Sequence, residues 1–280
     1  MNIDTTATIL EKRRLTDVTT LFVVAAPLVA LNAAPGQFVI LRVNEVGERV
    51  PISLTDFDRR AGTITLVVQV VGKTSALISA LEEGDDVLDL AGPLGHPVEL
   101  PLDGHAVLVG GGFGTGAVFP LARELHARGV RVSGIVGART AGLLILRDLL
   151  EPVCDDYHVC TDDGSVGYHG LVTGRLEQLL EAGEGFTSCF AVGPMPMMRA
   201  VSETTKRRGL PAMVSLDPLM VDGTGMCGGC RVSIGGKSKF ACVDGPFFDA
   251  HEVDFDVADD RMTTYKEQED LACELAGVGR

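Results

Sequence analysis

The chain has 280 residues, of which 46% are hydrophobic and 22% charged, values typical of a globular protein with well-packed cores. Its length leaves room for two domains or three small ones. The net charge of −14 argues against a nucleic-acid groove or an anionic membrane surface, because both need clustered lysine and arginine side chains.

The first part of the chain, residues 1–103, reads as short β-rich runs bounded by turn residues. These runs are "VTTLFVVAA", "GQFVILRV", "TITLVVQVV" and "DDVLDLAGPLG", and the first helical pattern is "TSALISALEEG". Several short strands at this spacing predict a small antiparallel β-barrel.

The longest apolar run, from Leu21 to Leu31, lies in this first part. It is too short to span a bilayer, and Asp17 before it and Pro27 inside it argue against a secretory signal. We interpret the run as two strands separated at the proline, and we expect a cytoplasmic protein.

Residues 104–212 change to an alternation of strands and helices. "HAVLVGGGFGTG" is an apolar strand that enters a glycine-rich turn, and "AVFPLARELHARG" has helical spacing with a glycine stop. "VRVSGIVGA", "YHVCTDDG", "GLVTGRLEQLLEAG" and "SCFAVGPMPMMRAV" continue the pattern. We therefore predict a parallel α/β sheet that binds ligands at the carboxyl ends of its strands.

Residues 213–280 break this pattern with a region rich in glycine and cysteine, followed by a predicted helix near Arg261 to Leu275. The chain has seven cysteines. Four of them are scattered through mostly apolar segments and are predicted to be buried reduced thiols: Cys154, Cys160, Cys189 and Cys273.

The other three cysteines, together with an aspartate, have the spacing of a metal site. Asp222-x4-Cys227-x2-Cys230-x11-Cys242 follows the plant-type ferredoxin pattern, with aspartate at the first position. This spacing favours a [2Fe–2S] cluster over zinc, because structural zinc sites usually have two short ligand pairs and Cys242 stands alone. From the residues alone, Asp222 is either a ligand or an ordinary acidic turn residue.

Two glycine motifs are compatible with phosphate binding. "GGGFGTG", Gly110 to Gly116, follows a strand as dinucleotide-binding turns do, but its spacing is not G-x-G-x-x-G and a plain tight turn stays open. "VGKTS", Val71 to Ser75, is not a P-loop, because Val67 stands where the first glycine would be. Its backbone N–H groups and lysine could still hold a phosphate.

Taken together, these motifs resemble the ferredoxin-reductase-like flavoproteins that carry a C-terminal [2Fe–2S] site. The signatures "RVPISL", "VVGKTS", "VGARTAGLLI", "VCTDDGS", "MVDGTGMCGGCRV" and "FACVDGPFFDAHEVDF" are similar to those of the small subunits of NADH-dependent reduced ferredoxin:NADP oxidoreductases, also described as sulfide dehydrogenase subunits. Electron-transfer subunits of dihydroorotate dehydrogenase are more distant relatives. The resemblance implies an FAD-binding barrel at 1–103, an NAD(P)-binding α/β domain at 104–212 and a cluster region at 213–280.

The resemblance also implies roles for particular residues. Flavin contacts fall on Arg49, Pro51 and Ser53, although Pro51 and Ile52 depart from the family's aromatic pattern. The FAD pyrophosphate falls on Gly72, Lys73, Thr74 and Ser75. The nicotinamide dinucleotide falls on Gly111, Gly112, Gly114, Arg139, Thr140, Asp163, Gly193 and Pro194. The cluster ligands are Asp222, Cys227, Cys230 and Cys242, because the first ligand of this family is characteristically aspartate.

The implied activity is electron transfer between NAD(H), FAD and the [2Fe–2S] cluster. The implied partner is a larger iron–sulfur flavoprotein subunit with [4Fe–4S] clusters, in a heterodimer that bifurcates electrons between ferredoxin, NADPH and NADH. Arg139 leaves a preference for NADP(H) open. The alternatives are an electron-transfer subunit of dihydroorotate dehydrogenase, whose family has a fourth cysteine at the position of Asp222, a sulfide or polysulfide oxidoreductase subunit, and a non-catalytic zinc-binding module.

Overall fold

A computed structural model describes residues 7–45 and 47–278, and its first sheet is a seven-stranded antiparallel barrel. The strands lie in the order β6-β1-β2-β5-β4-β3-β7. They are β1 (Ala7–Arg14), β2 (Thr19–Ala25), β3 (Phe38–Arg42), β4 (Val50–Asp58), β5 (Thr63–Gln69), β6 (Asp86–Val87) and β7 (Asp89–Leu94). Two helices accompany them, α1 (Pro27–Asn32) and α2 (Lys73–Ser79).

The apolar run from Leu21 to Leu31 forms one strand and one helix, so the prediction of two strands was wrong. Pro27 is the first residue of α1. Proline suits this position because its fixed φ is preorganised for a helix and its missing N–H would have no partner there. The buried Val29 and Ala30 then pack α1 against the barrel core.

The second sheet has six parallel strands and one antiparallel edge strand, in the order β11-β10-β9-β8-β12-β13-β16. The parallel strands are β8 (His105–Gly111), β9 (Arg131–Ala138), β10 (Asp156–Thr161), β11 (Tyr168–His169), β12 (Ser188–Val192) and β13 (Ala212–Ser215). The helices along this part of the chain are α3 (Thr115–Ala127), α4 (Arg147–Leu150), α5 (Val172–Glu181) and α6 (Met195–Arg208).

Strand β8 is the first parallel strand of the chain, and it lies between β9 on one side and β12 on the other. The order of strands reverses at this point. In open α/β sheets ligands bind in the crevice outside the carboxyl ends of the strands at such a reversal. The crevice outside β8 and β12 is therefore the place where the fold favours a nucleotide.

The last part of the chain adds a hairpin, a strand and three helices. These are β14 (Arg231–Ile234), β15 (Lys237–Phe240), α7 (Ala241–Asp244), β16 (Phe247–Asp249), α8 (Phe255–Met262) and α9 (Lys266–Ala276). The predicted closing helix near Arg261 to Leu275 is present as α9, but it begins only at Lys266, because a turn at Thr263–Tyr265 separates it from α8. The three-part division at 1–103, 104–212 and 213–280 stays a prediction, although β16 joins the parallel sheet.

One hydrophobic core joins the barrel, the parallel sheet and the cysteine region. It contains Phe38 and Ile40 of β3, Val107 and Val109 of β8, and Cys242. Of the four scattered cysteines, Cys160, Cys189 and Cys273 are buried and Cys154 is partly buried, all as free thiols. Within residues 7–45 and 47–278, no helix has the length and apolar character to cross a membrane.

Candidate functional site

The four predicted cluster ligands form two pairs in the structure. Cys230 and Cys242 lie with their Sγ atoms 3.1 Å apart, as free thiols. Asp222 and Cys227 are joined by a hydrogen bond of 2.8 Å from the Cys227 N–H to Asp222 Oδ2. Asp222 therefore lies next to Cys227, and Cys230 lies next to Cys242.

The two pairs differ in their exposure to solvent. Cys230 and Cys242 are 1% and 2% exposed, whereas Cys227 is exposed and Asp222 is partly exposed. One half of the site therefore lies in the protein interior and the other half at the surface. A group that spanned both pairs would connect the core to the surface.

The protonation of these groups follows from their surroundings. Burial, with the neighbouring Cys230 as a further cause, raises the pKa of the Cys242 thiol to about 12. The backbone N–H groups of Thr224 and Cys227 hold the pKa of Asp222 below its usual value, against the opposing effect of burial. Asp222 is thus an anionic oxygen donor, while binding of a metal at the buried thiols would displace protons.

The donor set and its pairing fit a binuclear iron cluster better than a single zinc ion. A structural zinc ion takes four ligands around one point. In the part of the chain that the structure describes, no three His, Cys, Asp or Glu side chains converge in this way. In a [2Fe–2S] cluster the four ligands are divided between two irons, as the Cys230–Cys242 and Asp222–Cys227 pairs are.

The cysteine loop is pressed against the barrel at Gly223. A Cβ atom added to Gly223 would lie 2.7 Å from Leu94 Cδ1 and 2.9 Å from Ile40 Cγ1, closer than carbon atoms approach. The φ of Gly223 is +71°, which also disfavours any residue with a side chain. Glycine is therefore required where the loop turns at the barrel surface next to Asp222.

The glycine-rich turn after β8 leads into α3 through a short 3-10 helix, Gly112–Gly114. It meets the turn after β12 at the crevice described above. A Cβ at Gly114 would collide with the Val192 carbonyl oxygen, and a Cβ at Gly111 would lie 3.0 Å from Pro194 Cδ. The structure thus brings together the predicted residues of both turns, Gly111, Gly112, Gly114, Gly193 and Pro194.

Arg139, Thr140 and Asp163 lie at the carboxyl ends of the next two strands, β9 and β10. The Asp163 N–H donates to the Arg139 carbonyl oxygen at 3.2 Å, so the two turns are in contact. Ser165 donates to Asp163 Oδ1 from its hydroxyl at 2.6 Å and from its N–H at 2.9 Å. These bonds lower the pKa of Asp163, while the Arg139 side chain is exposed and has no ion-pair partner among the described residues.

Ser53 and Pro51 of β4 lie on the outer face of the barrel. Phe38 is opposite Ser53, and Ile40 is opposite Pro51. Residues directly opposite each other in antiparallel strands project to the same face. Since Phe38 and Ile40 belong to the core shared with the parallel sheet, Ser53 and Pro51 are on the side of the barrel that faces that sheet.

Ile52, which stands where the family has an aromatic residue, projects to the opposite side. It is paired with Val39 and packs against the inner core of the barrel. A side chain in this position cannot stack on a flavin that lies against the outer face.

Arg49, the first of the predicted flavin contacts, is part of a small charged network. Its Nη2 is 3.4 Å from Asp89 Oδ2, and Arg42 Nη1 is 3.6 Å from the same oxygen. Arg42 also donates to the Glu45 carbonyl oxygen at 2.8 Å. These contacts fix the loop between β3 and β4 near the first residue of the flavin motif.

Gly72, Lys73, Thr74 and Ser75 form the start of α2. Ser75 Oγ accepts the Gly72 N–H at 2.9 Å and donates to the Gly72 carbonyl oxygen at 2.8 Å. Thr74 is 5% exposed. The hydroxyl of Ser75 is thus already used within the protein, and Lys73 has no ion-pair partner among the described residues. The contact of these four residues with a pyrophosphate stays a prediction.

Sequence reasoning missed Asp89, which holds Arg49, and Asp217, which follows β13. A signal for Asp217 was present, because a carboxylate directly after a parallel strand lies at the edge where ligands bind. Asp89 had no such signal, since its importance depends on the pairing of β7 with β3.

Comparison with known proteins gives one family match and several full-length relatives. Residues 217–254 match the iron–sulfur cluster binding domain of dihydroorotate dehydrogenase B. A homolog of the dihydroorotate dehydrogenase B (NAD(+)) electron transfer subunit from Thermotoga maritima is 44% identical over 253 residues, 90% of this chain and 89% of the relative. The electron transfer subunit from Geobacillus thermodenitrificans is 36% identical over 255 residues, 88% of this chain and 96% of the relative.

A solved structure of the NADH-dependent reduced ferredoxin-NADP oxidoreductase, described for flavin-based electron bifurcation, is similar over its whole length. It is 40% identical, the TM-score is 0.92, and the match covers 98% of this chain and 99% of that chain. The predicted ferredoxin-reductase-like fold class, with its barrel, its parallel sheet and its C-terminal iron–sulfur region, is confirmed.

Proposed function

Because the chain belongs to the family of dihydroorotate dehydrogenase B electron transfer subunits and their homologues, it is an oxidoreductase subunit, and we propose that it moves electrons between NAD(H), FAD and a [2Fe–2S] cluster. When bound, the flavin and the cluster supply the conversion of a two-electron hydride into single electrons. The protein supplies binding, orientation and a path between the sites.

The residues of the chain divide this work between three places. Ser53 and Pro51 support the flavin ring on the outer face of the barrel, while Arg49 and the start of α2 take its phosphates. The turns at Gly111–Gly114 and Gly193–Pro194 hold the nicotinamide dinucleotide, since close approach of backbone lets N–H groups meet phosphate. Arg139, Thr140 and Asp163 border the adenosine end.

The cluster site continues this path. Asp222 and Cys227 would hold the exposed part of the cluster, and Cys230 and Cys242, whose Sγ atoms are 3.1 Å apart, would hold the buried part. The loop from Asp222 to Cys227 rests on Ile40 at Gly223, and the strand of Ile40 pairs with β4, which carries Ser53 and Pro51. This arrangement favours electron flow from the interior, where flavin and nicotinamide meet, to an acceptor outside.

The complete role that we propose is the NADH-side subunit of an electron-bifurcating ferredoxin:NADP transhydrogenase. The observation that carries it is the match over the whole chain, at a TM-score of 0.92, to the NADH-dependent reduced ferredoxin-NADP oxidoreductase. The partner would be a larger iron–sulfur flavoprotein subunit in a heterodimer. A cytoplasmic location fits this role, because the reducing cytoplasm keeps the three cluster cysteines as thiols before the cluster is assembled. A role beside a dihydroorotate dehydrogenase subunit is the second candidate, supported by the match of residues 217–254.

Anaerobic affinity purification of the chain from its host, followed by mass spectrometry, tests the partner. We expect a larger flavoprotein with [4Fe–4S] motifs, and we expect FAD, iron and acid-labile sulfide without stoichiometric zinc in the purified complex. NADPH should reduce ferredoxin only when NAD⁺ is also present, because the two reactions are coupled. Co-purification of a dihydroorotate dehydrogenase subunit would contradict the bifurcating role. Reduction of ferredoxin by NADPH at the same rate with and without NAD⁺ would also contradict it.

A further inference from the structure

A hollow of about 570 Å³ lies at the junction between the barrel and the segment that follows β9. On the barrel side it is bordered by Arg13 and Arg14 at the end of β1 and by Leu15, and on the other side by residues 144–148 and Glu151. None of these residues is among the flavin, dinucleotide and cluster residues described above. The hollow is therefore a separate feature of the fold.

The floor of the hollow is apolar. Ile145 and Leu146 are 5% and 2% exposed and belong to one hydrophobic cluster with Leu21 of β2. Leu146 has a φ of +55°, and among the described residues it is the one residue other than glycine in the left-handed region. Such strain persists only where the surrounding structure holds it, and it is frequent at ligand sites.

Two arginines border this floor from opposite sides. Arg13 is opposite Leu21 in the β1–β2 pair, so its side chain leaves the barrel on the face of the hydrophobic cluster. Its Nη1 donates to Asp148 Oδ2 at 3.0 Å, across the junction. Arg147, the residue before Asp148, donates from Nε to Glu151 Oε2 at 3.0 Å.

Each of these guanidinium groups keeps two neighbouring nitrogen atoms without a partner among the described residues. Arg13 uses Nη1, and its Nε is buried without a hydrogen-bond acceptor. Arg147 uses Nε, which leaves its two Nη atoms. Two neighbouring N–H groups of one guanidinium form the fork that binds two oxygens of a phosphate or carboxylate. An anion at the Nε–Nη2 edge of Arg13 would also supply the acceptor that the buried Nε lacks.

The lining of the hollow is positively charged although the chain is acidic. Three arginines stand against one aspartate and one glutamate around the hollow, whereas the whole chain carries a net charge of −14. Two forks favour an anion with several oxygens. A phosphate monoester has three acceptor oxygens and a charge of about −1.5 to −2 at pH 7, and the apolar floor suits its organic group.

We propose that the hollow binds a small phosphate monoester, with the phosphate held by Arg13 and Arg147 and the organic group on Leu144 and Ile145. This site goes beyond the proposed electron-transfer function and does not depend on it. Binding here can therefore be measured without turnover.

Isothermal titration calorimetry of the holoprotein with phenyl phosphate tests the site. NAD⁺ is present in excess, so that the probe does not enter the dinucleotide crevice. We expect phenyl phosphate to bind, inorganic phosphate to bind more weakly because it lacks the organic group, and phenol not to bind because it lacks the phosphate. A dissociation constant of phenyl phosphate above about 10 mM would overturn the proposal, because so weak an affinity requires no built site.

Substitutions around the hollow should change the affinity in opposite directions. Arg13→Gln and Arg147→Gln should each weaken binding of phenyl phosphate roughly 10- to 100-fold, because each removes charge-assisted hydrogen bonds. Arg147→Lys should recover little of this loss, since an ammonium group has no planar fork. Glu151→Gln should tighten binding roughly two- to fivefold, because it removes a negative charge that competes with the ligand for Arg147.

Arg60→Gln, in the exposed turn before β5, is the matched control and should bind as the wild type does. Equal affinities in the wild type, Arg13→Gln and Arg147→Gln would place the probe elsewhere and overturn the proposal. Equal binding of phenol and phenyl phosphate would overturn it as well, since the apolar floor alone would then select the probe. Arg147 is exposed, so Arg147→Gln keeps the test decisive even if Arg13→Gln, which loses the ion pair across the junction, fails to fold.

Discussion

At the residue scale, Asp222 organises its loop and is also the proposed first ligand of the cluster, and substitutions can separate these two roles. Its Oδ1 accepts the Thr224 N–H at 2.9 Å and its Oδ2 accepts the Cys227 N–H at 2.8 Å, so it organises the loop even without a metal. A carboxylate that accepts these bonds still has lone pairs for iron. The turn interpretation and the ligand interpretation of the sequence are therefore compatible.

We expect Asp222→Cys to retain a cluster with an altered EPR signal, because a thiolate replaces an oxygen ligand. Asp222→Ala should impair cluster assembly. Asp222→Asn is the matched control for the turn, since it keeps an acceptor oxygen and loses the anionic ligand. EPR spectra and iron content of the three reduced variants would check this, and spectra equal to the wild type in all three would remove Asp222 from the ligand set.

The sequence predicts the four ligands through spacing, residue type and the family resemblance, and this ligand set stays a prediction. It could not predict that Cys230 and Cys242 form the buried pair and Cys227 the exposed one. Cys230 and Cys242 belong to the core that also contains Phe38 and Ile40 of β3, which are more than a hundred residues away in sequence, whereas Cys227 does not.

At the scale of elements, the contact between the turns after β8 and β12 is the feature most sensitive to a small change. Gly114→Ala would push a methyl group into the Val192 carbonyl. Overpacking of this kind costs about 1–3 kcal/mol and would separate the two turns that border the crevice. We expect a lower free energy of unfolding and at least a tenfold weaker affinity for NADH.

Gly185→Ala is the matched control, because no heavy atom lies within 4 Å of its added Cβ and its φ is not in the left-handed region. Urea denaturation and NADH titration of both variants would measure the difference. Equal NADH affinity in Gly114→Ala and Gly185→Ala would show that the close approach does not serve dinucleotide binding.

Strand and helix types were predictable wherever a periodic pattern ran without interruption, as in β8, α3 and α5. The secondary-structure predictions failed where the same residue type is compatible with two structures, or where a turn has no residue typical of turns. Pro27 was read as an interruption between strands, but proline also begins helices. The turn at Thr263–Tyr265 carries no glycine or proline, so the break between α8 and α9 had no sequence signal.

At the scale of the whole molecule, the barrel, the sheet and the cluster loop share one core. The order of these parts along the chain was predictable from composition and motifs. Their contacts were not, because Phe38 and Ile40 alternate with Val39 and Leu41 in a strand that is buried on both faces. Such a strand has no polar face to show which side meets another part of the protein.

The shared core predicts that damage to the outer face of the barrel reaches the cluster. Ile40→Ala removes the side chain against which Gly223 packs, and Ile64→Ala removes a side chain of similar burial in the inner core of the barrel. Both substitutions should lower the free energy of unfolding by about 2–5 kcal/mol, as measured by urea denaturation. Only Ile40→Ala should also release iron to a chelator faster under native conditions, by roughly tenfold, the effect of about 1.4 kcal/mol on local opening of the loop. Equal rates of iron release in the two variants would mean that the barrel does not support the cluster loop and that the two merely share a boundary.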